Sequence, residues 1–428
     1  MQAEQRNLQI RIIPVYNLFM SQKNSFANHP MAIRCIGWAW LQGALVWALC
    51  VVAVTVLTSA CSPVITAQRL SPEAALGEKA FNDLSLSASG RQSCASCHAA
   101  VVGHAAPNAL AVQLGGANLN VQGVRASQSL RYLATNPAFH IDAEGTPTGG
   151  FFWDGRADTL AIQAAGPLLR DIEMANTDKA SVVRKIANAA WAADFKSVYG
   201  DNVLNDVDLA FAKLTLALQR YQLEDDSFQS FSSKYDAVLR NEATLSAPET
   251  RGLALFNSED KGNCASCHTS EKSANGDHPL FTDFTYDNLG VPRNAEIAAN
   301  SNPAYFDLGL CDRDDMKTRS DWCGAFKVPS LRNVALRPVF FHNGKFKTLK
   351  EALVFYVQRD THPEKWYPVN PDGSIQKFDD LPSKYRVNVN TEEAPYDRHP
   401  GEVPALNDAE IDDVIAFLKT LNDGWTGR

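Results

Sequence analysis

Positive charge is in deficit in this chain. Its 40 lysines and arginines face 48 aspartates and glutamates, and the net charge of −8 argues against nucleic acid as a partner. That balance is compatible with a basic redox partner and otherwise serves solubility. Cysteine is scarce too, with nine in 428 residues. Four of the nine sit in two short motifs, three (Cys35, Cys50 and Cys61) lie in or beside an N-terminal apolar segment, and only Cys311 and Cys323 are left over.

The two motifs are identical: Cys94-Ala95-Ser96-Cys97-His98 and Cys264-Ala265-Ser266-Cys267-His268. C-x-x-C-H is the attachment signature of c-type haem, in which two thiols form thioethers with the vinyl groups and the histidine ligates the iron. Zinc asks for four closed ligands, and a redox C-x-x-C does not need the histidine that follows. Two copies therefore predict two covalently bound haems, with His98 and His268 as iron ligands.

From Ile36 to Leu57 the chain is almost wholly apolar, with Arg34 before it and Thr58-Ser59-Ala60-Cys61 after it. This reads as an export signal. The ending resembles a lipobox with Cys61 as the lipidated residue, although Thr58 stands where leucine is preferred. An uncleaved anchor is the alternative, since about 20 apolar residues span a bilayer. Either way the body is expected in the periplasm, touching a membrane only through that anchor or lipid. Residues 1–30 read as neither signal nor domain, and Met20 or Met31 would be a more ordinary start. In an oxidising compartment the spare Cys311 and Cys323 are expected to pair as a disulfide.

Pro72–Phe81 reads as a helix leading into the first motif, and Arg251–Phe256 repeats that order before the second. The expected fold is mainly α: two tandem class I cytochrome c-like domains, each binding one c-type haem, with long loops. The boundaries are 1–61 for the extension and signal, 62–235 for the first domain and 236–428 for the second. Amphipathic runs at 179–198 and 206–223 predict helices. A capping box at Thr348-Leu349-Lys350-Glu351 predicts another, with Leu349, Ala352, Leu353 and Tyr356 on one face. Residues 360–405 form a Pro- and Asp-containing insert expected on the surface.

Phe152-Trp153-Asp154-Gly155-Arg156-Ala157, continuing to Gln163, Pro167, Glu173 and Met174, resembles the distal-pocket segment of bacterial dihaem cytochrome c peroxidases and MauG-type enzymes. The resemblance extends from about Pro72 to the C-terminal Ile411–Leu418 helix. It implies that Glu173 is the acid/base over the first haem, that Gln163 orients the bound water or peroxide, and that Pro167 shapes the pocket. Trp153 would lie between the haems. Tyr356 falls where peroxidases of the family carry a methionine as sixth ligand of the second haem and MauG-type members a tyrosine. Soft methionine favours reduced iron, whereas a phenolate favours ferric iron and lowers the potential.

Two departures from the family pattern stand out. Gly115 to Leu130 contains no histidine, so the resting block on the first iron found in many members is missing. His104 and His140 lie outside that run and read as polar loop residues, and His342 as a structural hydrogen-bonder. The resemblance also admits an interdomain calcium, but Arg125-Ala126-Ser127-Gln128 lacks the asparagine that helps to hold it. The function implied is reduction of hydrogen peroxide with electrons from a cytochrome c, a cupredoxin or another donor. The alternatives are a MauG-type oxidase that modifies a partner protein through a high-valent dihaem state, and a dihaem electron carrier without peroxide chemistry. Members that oxidise a tryptophan-quinone precursor carry a tryptophan where this chain has Gly262, which speaks against that one substrate.

Overall fold

Ser71-Pro72-Glu73 combines a capping hydroxyl, a proline that needs no amide partner and an acid for the first turn. In the computed structural model, which describes residues 69–427, α1 accordingly runs over Pro72–Asn82, and the Ser71 side chain accepts from the Ala74 amide. The export signal and Cys61 lie outside the described residues. The single turn α2 (Cys94–Cys97) carries the first motif, followed by α3 (Leu160–Leu169), α4 (Lys179–Asn188), α5 (Ala192–Tyr199) and α6 (Val207–Glu224). After α7 (Lys234–Leu239) the order repeats. α8 (Ala247–Asn257) leads to a 3-10 turn at Cys264–Ser266, and a long irregular stretch then precedes α9 (Leu349–Gln358) and α10 (Asp408–Lys419).

Among the described residues, sheet is confined to three two-residue antiparallel ladders. They pair β1 (Leu114–Gly115) with β2 (Val121–Gln122), β3 (His140–Ile141) with β4 (Pro147–Thr148), and β5 (Tyr286–Asp287) with β6 (Phe326–Lys327). The fold is thus mainly helical. Among the described residues no helix is long and apolar enough to cross a membrane.

Two hydrophobic cores are built in the same way. α1 crosses α6 so closely that a Cβ on Gly77 would lie 2.0 Å from the Ala217 carbonyl oxygen. α8 crosses α10 at the same clearance, 2.0 Å from a Cβ on Gly252 to the Asp413 carbonyl. In each case a phenylalanine one helical turn on, Phe81 or Phe256, is buried in the core that the crossing creates. The first core gathers Leu76, Phe81, Val182, Phe195 and Leu214; the second gathers Phe256, Phe281, Phe355, Ile411 and Phe417. A disulfide joins Cys311 to Cys323.

The structure departs from the sequence expectations in two places. The run at 179–198 is two helices, because Ala189 turns to extended backbone and Trp191 drops inward to donate to Asp83 at 2.9 Å. The insert at 360–405 is not a surface loop. It buries Tyr367, Phe378, Leu381, Val389 and Tyr396, and Tyr367 donates to the Gly290 carbonyl at 2.6 Å. These anchors have no regular spacing, so no periodicity announces them.

Candidate active site

Each motif opens onto its own cavity, and two residues of sequence-predicted importance sit at the boundary or far wall. The first cavity is lined by Cys94, Cys97 and His98, and by Trp153, Gln163, Pro167 and Glu173. The second is lined by Cys264, Cys267 and His268, and by Trp153 and Tyr356. Trp153 therefore borders both, 5% exposed, with its indole N–H donating to the Ala126 carbonyl at 2.9 Å. Lys327, Val328, Pro329 and Arg337 share that boundary.

The histidines are set by backbone acceptors. His98 Nδ1 lies 2.9 Å from the Gln128 carbonyl, and His268 Nδ1 lies 2.8 Å from that of Phe281. Because a carbonyl only accepts, Nδ1 carries the proton and Nε2 keeps the lone pair that a metal needs. The four motif cysteines are free, and burial pushes the thiols of Cys94, Cys264 and Cys267 up to about 12. No group of three or more His, Cys, Asp or Glu suited to a metal ion occurs among the described residues.

This donor set fits haem. Each cavity offers two thiols and one lone-pair imidazole on a wall that is apolar over the larger part of its area. Between the cavities, Arg337 has one terminal guanidinium nitrogen buried without a partner, and burial pushes its pKa down to about 10. A cation left unpaired there is suited to a propionate. Burial pushes the Tyr356 hydroxyl pKa up, so its anion would need an adjacent cation of the kind that ferric iron would supply.

The wall opposite His98 comes from α3 and the turn after it. Thr159 caps α3 by accepting from the Ile162 amide, and Gln163 and Pro167, one turn apart, share the face turned to the cavity. Glu173 follows in the turn. Burial pushes its carboxyl pKa up against the opposing pull of Arg170, whose guanidinium is 3.6 Å away, and of Arg156. Among the residues lining this cavity His98 is the sole histidine. On the second side, α9 starts where the capping box places it, Thr348 and Glu351 bonding reciprocally, and Leu349, Ala352, Leu353 and Tyr356 all face the cavity.

Searches against known proteins agree with this geometry. A family model described as di-haem cytochrome c peroxidase matches residues 71–244. The methylamine utilization protein MauG of Paracoccus denitrificans is 36% identical over 358 residues, covering 82% of this chain and 88% of that protein. This chain belongs to the di-haem cytochrome c peroxidase and MauG family. Membership makes it a haem-dependent oxidoreductase of the peroxidase type. The cytochrome c551 peroxidase of Nitrosomonas europaea is 29% identical over 297 residues, 68% of this chain and 75% of that one. Among solved structures, the diheme peroxidase BthA of Burkholderia thailandensis matches with a TM-score of 0.76 at 42% identity, covering 83% of this chain and 87% of its own.

Several residues at this di-haem site have no sequence signal. His104, expected as a loop residue, is buried and stacked on Phe228 with ring centroids 4.1 Å apart, and its carbonyl lies 3.3 Å from His98 Nδ1. The His342 ring, expected to hydrogen-bond, stacks on Phe326 at 3.6 Å instead. Tyr396, from the insert, lines the second cavity with its ring centroid 5.9 Å from that of Tyr356. Lys327 donates to the Gly150 carbonyl, and burial pushes its pKa down to about 7. All four owe their places to contacts distant in sequence.

Proposed function

We propose that this chain reduces hydrogen peroxide to water in the first cavity and draws the two electrons from an external donor through the second. The observation that carries this reading is the half-buried carboxyl of Glu173, its pKa raised, facing the same cavity as His98 and Gln163. Bound to Cys94, Cys97 and His98 and to Cys264, Cys267 and His268, two covalent haems supply the redox-active irons. Around them, Gln163 orients peroxide by hydrogen bonding. The Glu173 carboxylate takes the proton from one peroxide oxygen and returns it to the other, which leaves as water; two electrons from the donor and two protons from solvent turn the oxygen left behind into a second water. A carboxyl whose pKa is raised above the ordinary value is a better proton acceptor than a surface glutamate, which suits that transfer. Pro167 shapes the cavity wall with an apolar ring. Trp153, bordering both cavities, carries oxidising equivalents between them.

The two cores correspond on this reading to two cytochrome c-like domains, 62–235 and 236–428. The matching Gly77 and Gly252 crossings support it. The motif chemistry and the apolar Ile36–Leu57 segment support a periplasmic protein, lipidated at Cys61 or anchored. The donor class is a small cytochrome c or a cupredoxin.

The MauG-type reading, in which a partner protein's side chain is the donor, draws on Tyr356 in the second cavity and on the 36% identity to MauG. Against a tryptophan-quinone precursor stands Gly262. A Cβ there would lie 2.9 Å from the Leu255 carbonyl and 3.1 Å from Cys264 Sγ, so a tryptophan does not fit. Steady-state peroxide turnover with reduced cytochrome c and with reduced cupredoxin tests the peroxidase reading. It predicts sustained consumption of peroxide matched to two electrons per molecule. Single-turnover behaviour with both donors would leave the protein-modifying reading, and no reaction at all would leave an electron carrier.

A further inference from the structure

Arg125 leaves the N-terminal half of the chain and ends among three carboxylates. Its Nε and Nη2 donate to the two oxygens of Asp307 at 2.7 and 2.6 Å, and its Nη1 donates to Asp154 at 2.6 Å. Asp312 lies 3.3 Å from Nη2. The first three side chains are secluded from water, at 13%, 10% and 3% exposure for Arg125, Asp307 and Asp154. Although burial opposes ionisation, Arg125 holds the Asp307 carboxyl down at about 2. A two-pronged guanidinium contact of this kind fixes orientation as well as distance.

The same few residues seat Trp153. Asp154 is its neighbour in the chain, and Ala126, next to Arg125, accepts its indole N–H at 2.9 Å. The Trp153 carbonyl accepts from the Lys327 amide at 2.9 Å, and the Ala126 amide donates to the His342 carbonyl at 2.7 Å. Arg125 thus joins the two segments that hold the ring, 125–126 and 153–154, to Asp307 of the C-terminal half. A divalent cation does not fit this seam. Ala126 has no side-chain oxygen, and Asp154 and Asp307 are engaged by Arg125, with Arg156 donating to both oxygens of Asp154 at 2.9 and 2.8 Å.

We propose that Arg125 is the positioning residue for charge exchange through Trp153, and that its guanidinium supplies from within the chain the cation that joins the two haem cavities. This rests on the role of Trp153 stated above. Displacing a relay ring by an ångström costs rate without emptying either cavity, so the signature is slow transfer in an otherwise intact protein.

The test uses the full chain loaded with both haems, mixed with one equivalent of peroxide. The readout is the rate at which the absorption of the second haem responds. Trp153→Phe slows that response. Arg125→Gln slows it roughly tenfold or more, with haem content and the second haem's reduction potential unchanged. The double variant is no slower than Trp153→Phe alone, because both changes act on one step. Asp307→Asn, which keeps the guanidinium and removes its charged partner, slows the response in the same way and serves if Arg125→Gln fails to fold. Treating the wild type with EGTA leaves the rate unchanged. Arg125→Gln or Asp307→Asn at the wild-type rate, additive effects in the double variant, or loss of the response in EGTA with recovery in calcium overturns the proposal. A wild-type rate in Trp153→Phe overturns the underlying relay instead.

Discussion

Glu173 is set apart from an ordinary surface glutamate by the water it has lost. Burial lifts its pKa while Arg170 and Arg156 restrain the rise, leaving a carboxyl that can accept a proton and give it back. Glu173→Gln keeps the volume and removes the base. It is expected to cut the peroxide reaction of the holo-protein by about 100-fold or more, with two haem additions still present by mass spectrometry. A wild-type rate would assign the proton transfer to another group. Tyr356 makes a second residue-level case. With Tyr356 proposed as the second iron's ligand, Tyr356→Met would exchange a hard anionic ligand for a soft neutral one and is expected to raise the second haem's midpoint potential in a spectroelectrochemical titration; an unchanged potential would remove Tyr356 from the iron. The haem motifs are legible letter by letter because attachment demands residues adjacent in the chain. Arg337, Tyr396 and the His104 carbonyl are not, because each reaches its cavity through packing of segments far apart.

Helices were readable where their ends carry chemistry. The Thr348–Glu351 capping box marks the start of α9, and the apolar spacing after it turns Tyr356 into the cavity. The break between α4 and α5 carries no such mark, since the apolar period continues across it and only the inward turn of Trp191 ends the helix. The helix crossings bring their own prediction. Gly77→Ala and Gly252→Ala each push a methyl group into a carbonyl of the facing helix and are expected to cost about 1–3 kcal/mol in chemical denaturation. Equal stability in either variant would mean that the crossing relaxes and does not define its core.

Across the whole molecule, two buried ion pairs tie distant segments together and set an acid limit. Asp236 receives both prongs of Arg332 at 3.0 and 2.9 Å, and Asp307 receives those of Arg125. Despite opposing burial, both carboxyls are held at about 2, below the ordinary 3.8. Stability from a depressed acid is complete above its unfolded value and is lost as pH falls through the folded one. Each pair therefore contributes about 2 kcal/mol that disappears between about pH 4 and pH 2. Thermal melts across that window should show a falling midpoint, and Asp236→Asn should flatten the fall. The repeated helix-then-motif order was visible in the sequence. The seam between the halves was not, because Arg125, Trp153 and Lys327 meet there from separate stretches of chain.

On the proposed function, the first cavity accepts peroxide without prior reduction. No histidine other than His98 lines it, and Tyr356 rather than a methionine faces the second. Stopped-flow spectroscopy of the fully ferric holo-protein mixed with one equivalent of peroxide tests this most directly. An immediate change at the first haem followed by a response at the second is expected; a ferric protein that stays silent and reacts only after one-electron reduction would contradict this reading.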